Sequence, residues 1–183
     1  MSWNRFDDFL AEYRASNVIN SIPSDATVLD LGCGDGRLLF EIKDKIDRGI
    51  GIDKKIKNYD DGKIKLLNAD LERRLPFDDN FFDIVISLAV LEHLEDPLNA
   101  AGEIYRVLKK GGMLFLSVPT PKAKPLLEFL AFQLGVISKT DIADHKRYWS
   151  KKEIIYLLEK SNFKEIEHKY FQLRFNQFVV AIK

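Results

Sequence analysis

A chain of 183 residues, 46% of them hydrophobic, lies within the size range of one domain and can bury a core. Its 28 basic and 28 acidic residues balance, so no net charge attracts it to nucleic acid or to an anionic membrane. A single cysteine, Cys33, excludes an internal disulfide framework and a multi-cysteine zinc site. We therefore expect one domain over residues 1–183, a reducing compartment and no nucleic-acid partner.

The hydrophobic pattern of the sequence indicates where the protein is located in the cell and which secondary-structure element comes first. No basic stretch leads into an apolar run there, and nowhere do about 18 apolar residues follow one another without interruption. The sequence therefore predicts neither a signal peptide nor a membrane-spanning helix, and we expect a cytoplasmic protein. Apolar residues at helical spacing predict an amphipathic helix over residues 4–20.

Short apolar runs alternate with helical segments through the first two thirds of the chain. Such alternation predicts a parallel sheet, because each pair of parallel strands needs a crossover connection. The predicted strands cover residues 26–31, 49–53, 63–68, 82–87 and 113–118. The clearest helices between them open at Gly36 and cover residues 97–108, and the pair Gly111-Gly112 is expected to end the second one.

The last third of the chain departs from this alternation. Residues 120–149 form a long connection that we expect to act as a cap, and its segment 126–137 is unusually apolar. A helix near residues 150–161 follows. Two late strands, near residues 163–170 and 174–182, are joined by a short turn and predict an antiparallel hairpin at one edge of an α/β sheet.

The richest signal is a glycine loop after the first predicted strand. Three glycines at every second position let the backbone pass close to a bound small molecule, namely Gly32, Gly34 and Gly36. Their spacing differs from the dinucleotide fingerprint G-x-G-x-x-G. Asp30 and Asp35 lie where their negative charges would repel a bound pyrophosphate. At the end of the next strand, Asp53 is placed to accept hydrogen bonds from two ribose hydroxyls. The pattern favours a cationic nucleoside such as S-adenosylmethionine over NAD.

Several motifs together resemble one known family. The run V-L-D-L-G-C-G-D-G-R-L-L resembles the first motif of class I S-adenosylmethionine-dependent methyltransferases, and Gly51-Ile52-Asp53 resembles their ribose-binding motif. Asn68-Ala69-Asp70-Leu71 resembles the segment that contacts adenine, and Leu91-Glu92-His93-Leu94 resembles the type 11 (UbiE/UbiG-like) branch. The resemblance implies a Rossmann-like, seven-stranded, mostly parallel sheet with helices on both faces and an antiparallel C-terminal hairpin strand.

The resemblance also implies which residues bind S-adenosyl-L-methionine and its product S-adenosyl-L-homocysteine, with no metal. Asp30 would hold the methionine ammonium, Asp53 the ribose and Asp70 the adenine amine. The remaining cofactor-binding residues that it implies are Gly32, Cys33, Gly34, Gly36, Lys54, Ala69, Leu71, Ser87 and Leu88. Purely structural alternatives stay open, since Asp70 could be a turn acid and Ser87 a strand-end residue. Cys33 is expected to be a small packing residue and not a nucleophile.

Methyl transfer attacks a carbon already activated by sulfonium, so the protein mainly aligns the nucleophile and excludes water. For a hydroxyl acceptor a general base would help, and histidine is the usual base near neutral pH. The candidates are His145, in the segment expected to shape the acceptor site, and His93, just after the fourth strand. Each could instead be structural, and His168 is expected on a peripheral strand without a role.

The acceptor is the least determined part of the prediction. We expect a small molecule that is lipid-linked, quinone-like or a sugar, with oxygen favoured over nitrogen as the nucleophile. The apolar segment 126–137 could cover the acceptor, form a dimer contact or rest on a membrane. A protein methyltransferase, a catalytically silent cofactor-binding subunit and a nicotinamide oxidoreductase remain alternatives. Base methylation of nucleic acid is disfavoured, because Ser87-Leu88-Ala89-Val90 lacks a proline-proline-aromatic pattern.

Overall fold

The computed structural model describes the backbone of residues 5–183 and the side chains of residues 10–183. Its strands are β1 (Thr27–Leu31), β2 (Arg48–Asp53), β3 (Tyr59–Asp60), β4 (Ile64–Asn68), β5 (Phe82–Leu88), β6 (Leu108–Pro119), β7 (Lys164–Phe171) and β8 (Asn176–Ile182). Its helices are α1 (Arg5–Ile19), α2 (Arg37–Glu41), α3 (Pro97–Val107), α4 (Ala123–Glu128), α5 (Lys139–Ala143) and α6 (Lys151–Lys160). A π-helical turn, Phe129–Gln133, continues α4, and Leu91–His93 and Gln172–Arg174 form 3₁₀ turns.

All the described strands join one sheet in the order β3-β4-β2-β1-β5-β6-β8-β7. The strands from β4 to β6 in this order are parallel, β8 is antiparallel to β6, and β7 is antiparallel to β8. The predicted Rossmann-like sheet with its C-terminal hairpin is therefore confirmed. The predicted number of seven strands is one too few, because β3 adds two residues at the edge. Both residues of β3 are exposed, so no apolar run could reveal it.

Helices cover both faces of the sheet. Neighbouring residues along β1 and β5 point to opposite faces, and the residues on both faces are buried. Leu29 and Val85 belong to a core cluster with residues of α3 and α6, whereas Val28 and Ile84 belong to a second cluster with residues of α1 and α2. Because both faces are buried, the central strands are continuous apolar runs without alternating polar positions. Each such buried side chain stabilises the fold by about 1.5–3 kcal/mol.

The end of α3 corrects one predicted boundary. The helix ends at Val107, and β6 begins at Leu108, before the glycine pair that was expected to stop the helix. Leu108 already pairs with Phe82 of β5, and Lys109 bonds to Asp83 at 2.8 Å. The glycines therefore lie inside a long strand. Pairing with β5 decides the boundary, and local glycine content does not.

The connection from β6 to α6 contains short helices with an apolar exposed surface. Four of its large hydrophobic side chains are exposed, namely Leu126, Phe129, Phe132 and Leu134. Ser150 then caps α6 by accepting a hydrogen bond from Glu153 N at 3.3 Å, while the Glu153 carboxylate accepts one from Ser150 N at 2.7 Å. None of the described helices has the length and apolar character that a membrane crossing requires.

Helix α1 covers residues 5–19 of the predicted range 4–20; residue 4 lies outside the described residues, and Asn20 already belongs to the turn after the helix. Its Val18 is fully buried against the sheet. The side chains of Phe6 and Phe9, on which part of the helical pattern rests, also lie outside the described residues.

Candidate functional site

The carboxyl ends of the parallel strands form one edge of the sheet. The register pairs Leu31 of β1 with Ile52 of β2 and Ser87 of β5, so residues that follow these strands emerge side by side. The order of the strands reverses between β1 and β5, since β1 connects to β2 on one side and the chain returns to β5 on the other. Open α/β sheets bind ligands in the crevice at such a point.

The glycine loop follows β1 at this edge. Gly32 has φ +70°, and a Cβ atom on it would lie 2.5 Å from Cγ2 of Val90, so packing alone requires glycine there. Gly34 also has a left-handed φ, +57°, yet a Cβ atom on it would have no described atom within 4 Å. The loop is therefore packed against the β5 side at Gly32 and open at Gly34. The open position is where a ligand can approach the backbone.

Asp53, at the end of β2, holds this loop. Its Oδ2 accepts a hydrogen bond from Gly34 N at 3.1 Å, and its Oδ1 accepts one from Lys55 N at 2.8 Å. Each carboxylate oxygen can accept two hydrogen bonds, so the group keeps capacity for two further donors. Lys54 beside it has an exposed side chain, and its backbone oxygen accepts a hydrogen bond from Asn68 Nδ2 at 2.9 Å.

Asp30 is a buried carboxyl within β1, with only 5% of its surface exposed. Burial, aided by the neighbouring Asp53 carboxylate, raises the pKa of Asp30 to about 8. The group is therefore protonated at neutral pH until a cation comes to lie beside it. Such a group at the carboxyl edge of the sheet is a candidate binder of positive charge.

Cys33 has the packing role that its position between loop glycines predicts. A Cβ atom on Gly51 of β2 would lie 2.7 Å from the Cys33 Sγ, so the thiol fills the space that this glycine leaves. Burial, with help from the charges of Asp30 and Asp53, raises the pKa of the thiol far above its usual value. A thiol that stays protonated is a poor nucleophile.

The segment after β4 turns sharply at Asp70. Its Oδ1 accepts a hydrogen bond from Glu72 N at 3.0 Å, and its Oδ2 lies 3.5 Å from Arg73 Nε. Asp70 is exposed, and its neighbours Ala69 and Leu71 are half-buried. The geometry matches the turn-acid alternative and leaves the remaining acceptor positions of the carboxylate free for a ligand amine.

Ser87 differs from the expectation that it flanks a ligand directly. Its side chain is fully buried, its hydroxyl has no hydrogen-bond partner among the described residues, and it faces a small cavity lined in part by Leu71 and Leu91. Leu88, the next residue, is half-buried. In this conformation Leu88 is the more accessible of the two, and contact with Ser87 requires the cavity to open.

The two candidate bases lie in contact. The ring centroids of His93 and His145 are 4.7 Å apart at an interplanar angle of 77°. Burial lowers the pKa of both imidazoles, that of His145 to about 4, and His93 Nδ1 lies 3.3 Å from Asp144 Oδ2. Both rings are therefore neutral at pH 7. His168 instead lies in the C-terminal hairpin, where its Nε2 is 2.9 Å from Gln177 Oε1.

Glu92, which is not among the predicted site residues, lies next to His93 and is only 1% exposed. Burial raises the pKa of Glu92 to about 8, and its Oε2 has no hydrogen-bond partner among the described residues. Its backbone oxygen accepts hydrogen bonds from Lys146 N at 2.8 Å and Arg147 N at 3.4 Å, which brings His145 next to it. A charged residue within the apolar run Val90–Leu94 is the signal that could have revealed it.

A pocket opens beside His145, and all of its lining residues belong to the 120–149 connection. It encloses about 350 Å³ of space that water can enter. Its walls combine aromatic, basic and acidic side chains with aliphatic ones, and the residues are Lys124, Glu128, Phe132, Ile142, Ala143, His145, Lys146, Arg147 and Tyr148. A pocket whose lining is mostly polar, with a few apolar and aromatic side chains, suits an organic molecule that carries polar or charged substituents.

Comparison with known proteins agrees with this geometry. A type 11 family model described as a methyltransferase domain matches residues 29–116. A protein described as a methyltransferase in Encephalitozoon cuniculi is 31% identical over 166 residues, which cover 81% of this chain and 75% of that protein. A solved S-adenosylmethionine-dependent methyltransferase from Mesorhizobium loti has a TM-score of 0.74 at 18% identity, over 93% of this chain and 98% of that chain.

A protein described as an S-adenosylmethionine-dependent methyltransferase in Mycolicibacterium smegmatis is 34% identical over 132 residues, which cover 64% of this chain and 49% of that protein. The chain thus spans about half the length of that curated relative. The match to the Encephalitozoon protein covers most of both chains. The chain belongs to the type 11 branch of the class I S-adenosylmethionine-dependent methyltransferases.

Proposed function

We propose that this chain transfers the methyl group of S-adenosylmethionine to an oxygen atom of a small-molecule acceptor. The observation that carries the proposal is the carboxyl edge of β1 and β2. There the buried carboxyl of Asp30, the open backbone at Gly34 and the carboxylate of Asp53 come together. A ligand that is cationic at one end and has a ribose with two hydroxyls complements all three features.

The proposed cofactor contacts follow the order of the strands. Asp30 binds the ammonium group, Asp53 uses its two remaining acceptor positions for the ribose hydroxyls, and Asp70 accepts from the adenine amine. Gly34 offers its exposed backbone to the methionine portion. The other residues in the proposed cofactor site surround these four, and they are Gly32, Cys33, Gly36, Lys54, Ala69, Leu71, Ser87 and Leu88.

The pocket beside His145 is the proposed acceptor site. Phe132 and Tyr148 provide aromatic surface for a planar or lipid-linked acceptor, and the basic groups of Lys124 and Arg147 favour one that carries an anionic substituent. The neutral imidazoles of His93 and His145 can accept a proton from an acceptor hydroxyl, which supports oxygen as the nucleophile. A quinone-like phenol or a lipid-linked hydroxyl meets these requirements.

The test of the cofactor assignment is a calorimetric titration of the purified protein with S-adenosylmethionine, S-adenosylhomocysteine and NAD side by side. We expect binding of the two sulfur nucleosides and no binding of NAD. Absence of measurable binding of both sulfur nucleosides would overturn the proposal. A screen of phenolic and lipid-linked hydroxyl acceptors, read by formation of S-adenosylhomocysteine, then tests the acceptor class.

The exposed apolar side chains of residues 126–137 favour a second role for the connection that carries them. Phe129 and Leu134 project into solvent at its outer surface. We propose that this surface lies on a membrane or against a second copy of the chain while its inner side closes the acceptor pocket. The common sheet of the described residues supports a single domain, with this connection as its cap.

A further inference from the structure

Three potential metal ligands meet beside the proposed acceptor pocket. Glu92, His93 and His145 each offer one ligand atom, and these atoms all lie within 4.8 Å of one another. Glu92 and His93 come from the turn after β5, whereas His145 comes from the connection after α5. We propose that this cluster binds one divalent transition-metal ion. The ion's suggested part in catalysis rests on the proposed methyl transfer, but the binding site itself does not.

Two side chains of this cluster have a buried polar atom without a hydrogen-bond partner among the described residues. Glu92 is 1% exposed, and its Oε2 has no hydrogen-bond partner among the described residues. The same is true of Nδ1 of His145, whereas the buried Nδ1 of His93 has Asp144 Oδ2 3.3 Å away. Buried polar atoms are nearly always paired, because an unpaired one loses its hydration without compensation. An ion bound by the three side chains would give the unpaired atoms of Glu92 and His145 a partner.

The surrounding structure already holds the ligands near each other. The hydrogen bonds from Lys146 N and Arg147 N to the Glu92 carbonyl join the two segments next to the cluster. An ion about 2.0–2.2 Å from each ligand atom needs those atoms closer together than 4.8 Å, so small side-chain rotations complete the site. Asp144, whose Oδ2 lies 3.3 Å from His93 Nδ1, is placed to orient that ring as outer carboxylates orient ligating histidines.

The ligand set indicates which ions fit. Two imidazole nitrogens and one carboxylate oxygen suit Zn²⁺, Mn²⁺, Fe²⁺ or Co²⁺, whereas Mg²⁺ and Ca²⁺ prefer oxygen ligands alone. Three protein ligands leave at least one coordination position open. Since His145 also lines the acceptor pocket, an acceptor hydroxyl can reach that position. The ion would lower the pKa of this hydroxyl, which loses its proton to water before its oxygen displaces S-adenosylhomocysteine from the methyl carbon.

This assignment revises the expectation that no metal is bound, and it changes the role of both histidines. An imidazole whose lone pair binds a metal cannot accept a proton with it, so His93 and His145 act as ligands and not as bases. The sequence could not reveal the site, because His145 lies far along the chain from Glu92 and His93. Only the folded connection between β6 and α6 brings them together.

The experiment uses Co²⁺ as the probe, because its visible absorption reports coordination without any turnover. Metal-free protein is titrated with Co²⁺, and Zn²⁺ is then added as a competitor. We expect saturation at one ion per chain and displacement by Zn²⁺. Glu92→Gln and His145→Ala should each weaken binding about 10- to 100-fold. His168→Ala is the matched control, since His168 bonds to Gln177 in the hairpin, and its binding should equal that of the unchanged protein.

Absence of saturable binding at one ion per chain would overturn the proposal with the unchanged protein alone, whether or not the variants fold. Equal Co²⁺ affinity in folded Glu92→Gln, His145→Ala and unchanged protein would also overturn it. Calorimetry with S-adenosylmethionine on the same preparation separates the two proposals. Cofactor binding without Co²⁺ binding refutes only the metal site, and Co²⁺ binding without cofactor binding refutes only the methyl transfer.

Discussion

Binding of S-adenosylmethionine at pH 7 should release close to one proton from Asp30. Burial and the Asp53 carboxylate raise the pKa of Asp30 in the free protein to about 8, so about 0.9 of the molecules carry the proton at pH 7. An ammonium group beside Asp30 stabilises its carboxylate form and lowers this pKa. The proton must therefore leave as the cofactor arrives. By the same linkage, the affinity should rise nearly tenfold from pH 6 to pH 7, reach a maximum near pH 8 and fall at higher pH, where the cofactor's own ammonium group loses its proton.

The assay is calorimetric titration at pH 7 in buffers with different enthalpies of ionisation. The observed enthalpy changes linearly with the buffer's ionisation enthalpy, and the slope is the number of protons exchanged. The control is Asp30→Asn, which has nearly the same shape and no proton to release. Subtracting its slope removes the contribution of the cofactor's own amino group, whose pKa of about 7.7–8.0 lies near the measuring pH.

Equal slopes in the unchanged protein and in Asp30→Asn would refute this reasoning. That result would mean either that Asp30 is already ionised in the free protein or that it does not face the ammonium. The affinity of Asp30→Asn for the cofactor distinguishes the two cases. An already ionised Asp30 still loses affinity on conversion to Asn, whereas a distant Asp30 does not.

Three further changes test other parts of the site and its support. Asp53→Ala should weaken S-adenosylmethionine binding by about 1.5–3 kcal/mol, since it removes the acceptor of the ribose hydroxyls and of Gly34 N, and an unchanged calorimetric dissociation constant would contradict that role. Gly32→Ala should lower the free energy of unfolding, measured in urea, by about 2–4 kcal/mol. The new Cβ would lie 2.5 Å from Val90 Cγ2, and the backbone there is left-handed. The double variant Gly32→Ala, Val90→Ala should recover part of the loss. Arg106→Ala should lower the free energy of unfolding by about 2–4 kcal/mol, because this guanidinium donates to two carboxylates and two backbone carbonyls. A loss below about 0.5 kcal/mol in the same urea assay would show that these hydrogen bonds contribute little.

The central sheet was predictable because its strands are buried on both faces. In β1 and β5 that burial makes most residues apolar, and the runs are recognisable without knowledge of their neighbours. The strand β3 has two exposed residues, and its pairing with β4 leaves no trace in the local pattern. The start of β6 was missed for a related reason. After Leu108 its next residues are two lysines and two glycines, which become strand only because β5 and the C-terminal end of the chain lie alongside.

The candidate site likewise has residues that the sequence can predict and residues that it cannot. The glycine loop and Asp53 belong to a local motif in which spacing along the chain carries the chemistry, so both could be proposed from the sequence. The burial of Ser87 and the contact between His93 and His145 depend on how separate segments pack. Glu92 shows the limit clearly. The neighbouring His93 was a predicted site residue, but the unpaired carboxyl oxygen of Glu92 could be recognised only in the folded chain.

The hydrogen bond between Asp53 and Gly34 N means that the glycine loop is preorganised before any ligand arrives. Ordering a loop during binding costs conformational entropy, and a loop that is already ordered avoids that cost. Cofactor association should then proceed without a slow loop-closing step. The amide hydrogen of Gly34 should accordingly exchange slowly with solvent in the free protein, although the residue lies in a loop and its Cα faces open space.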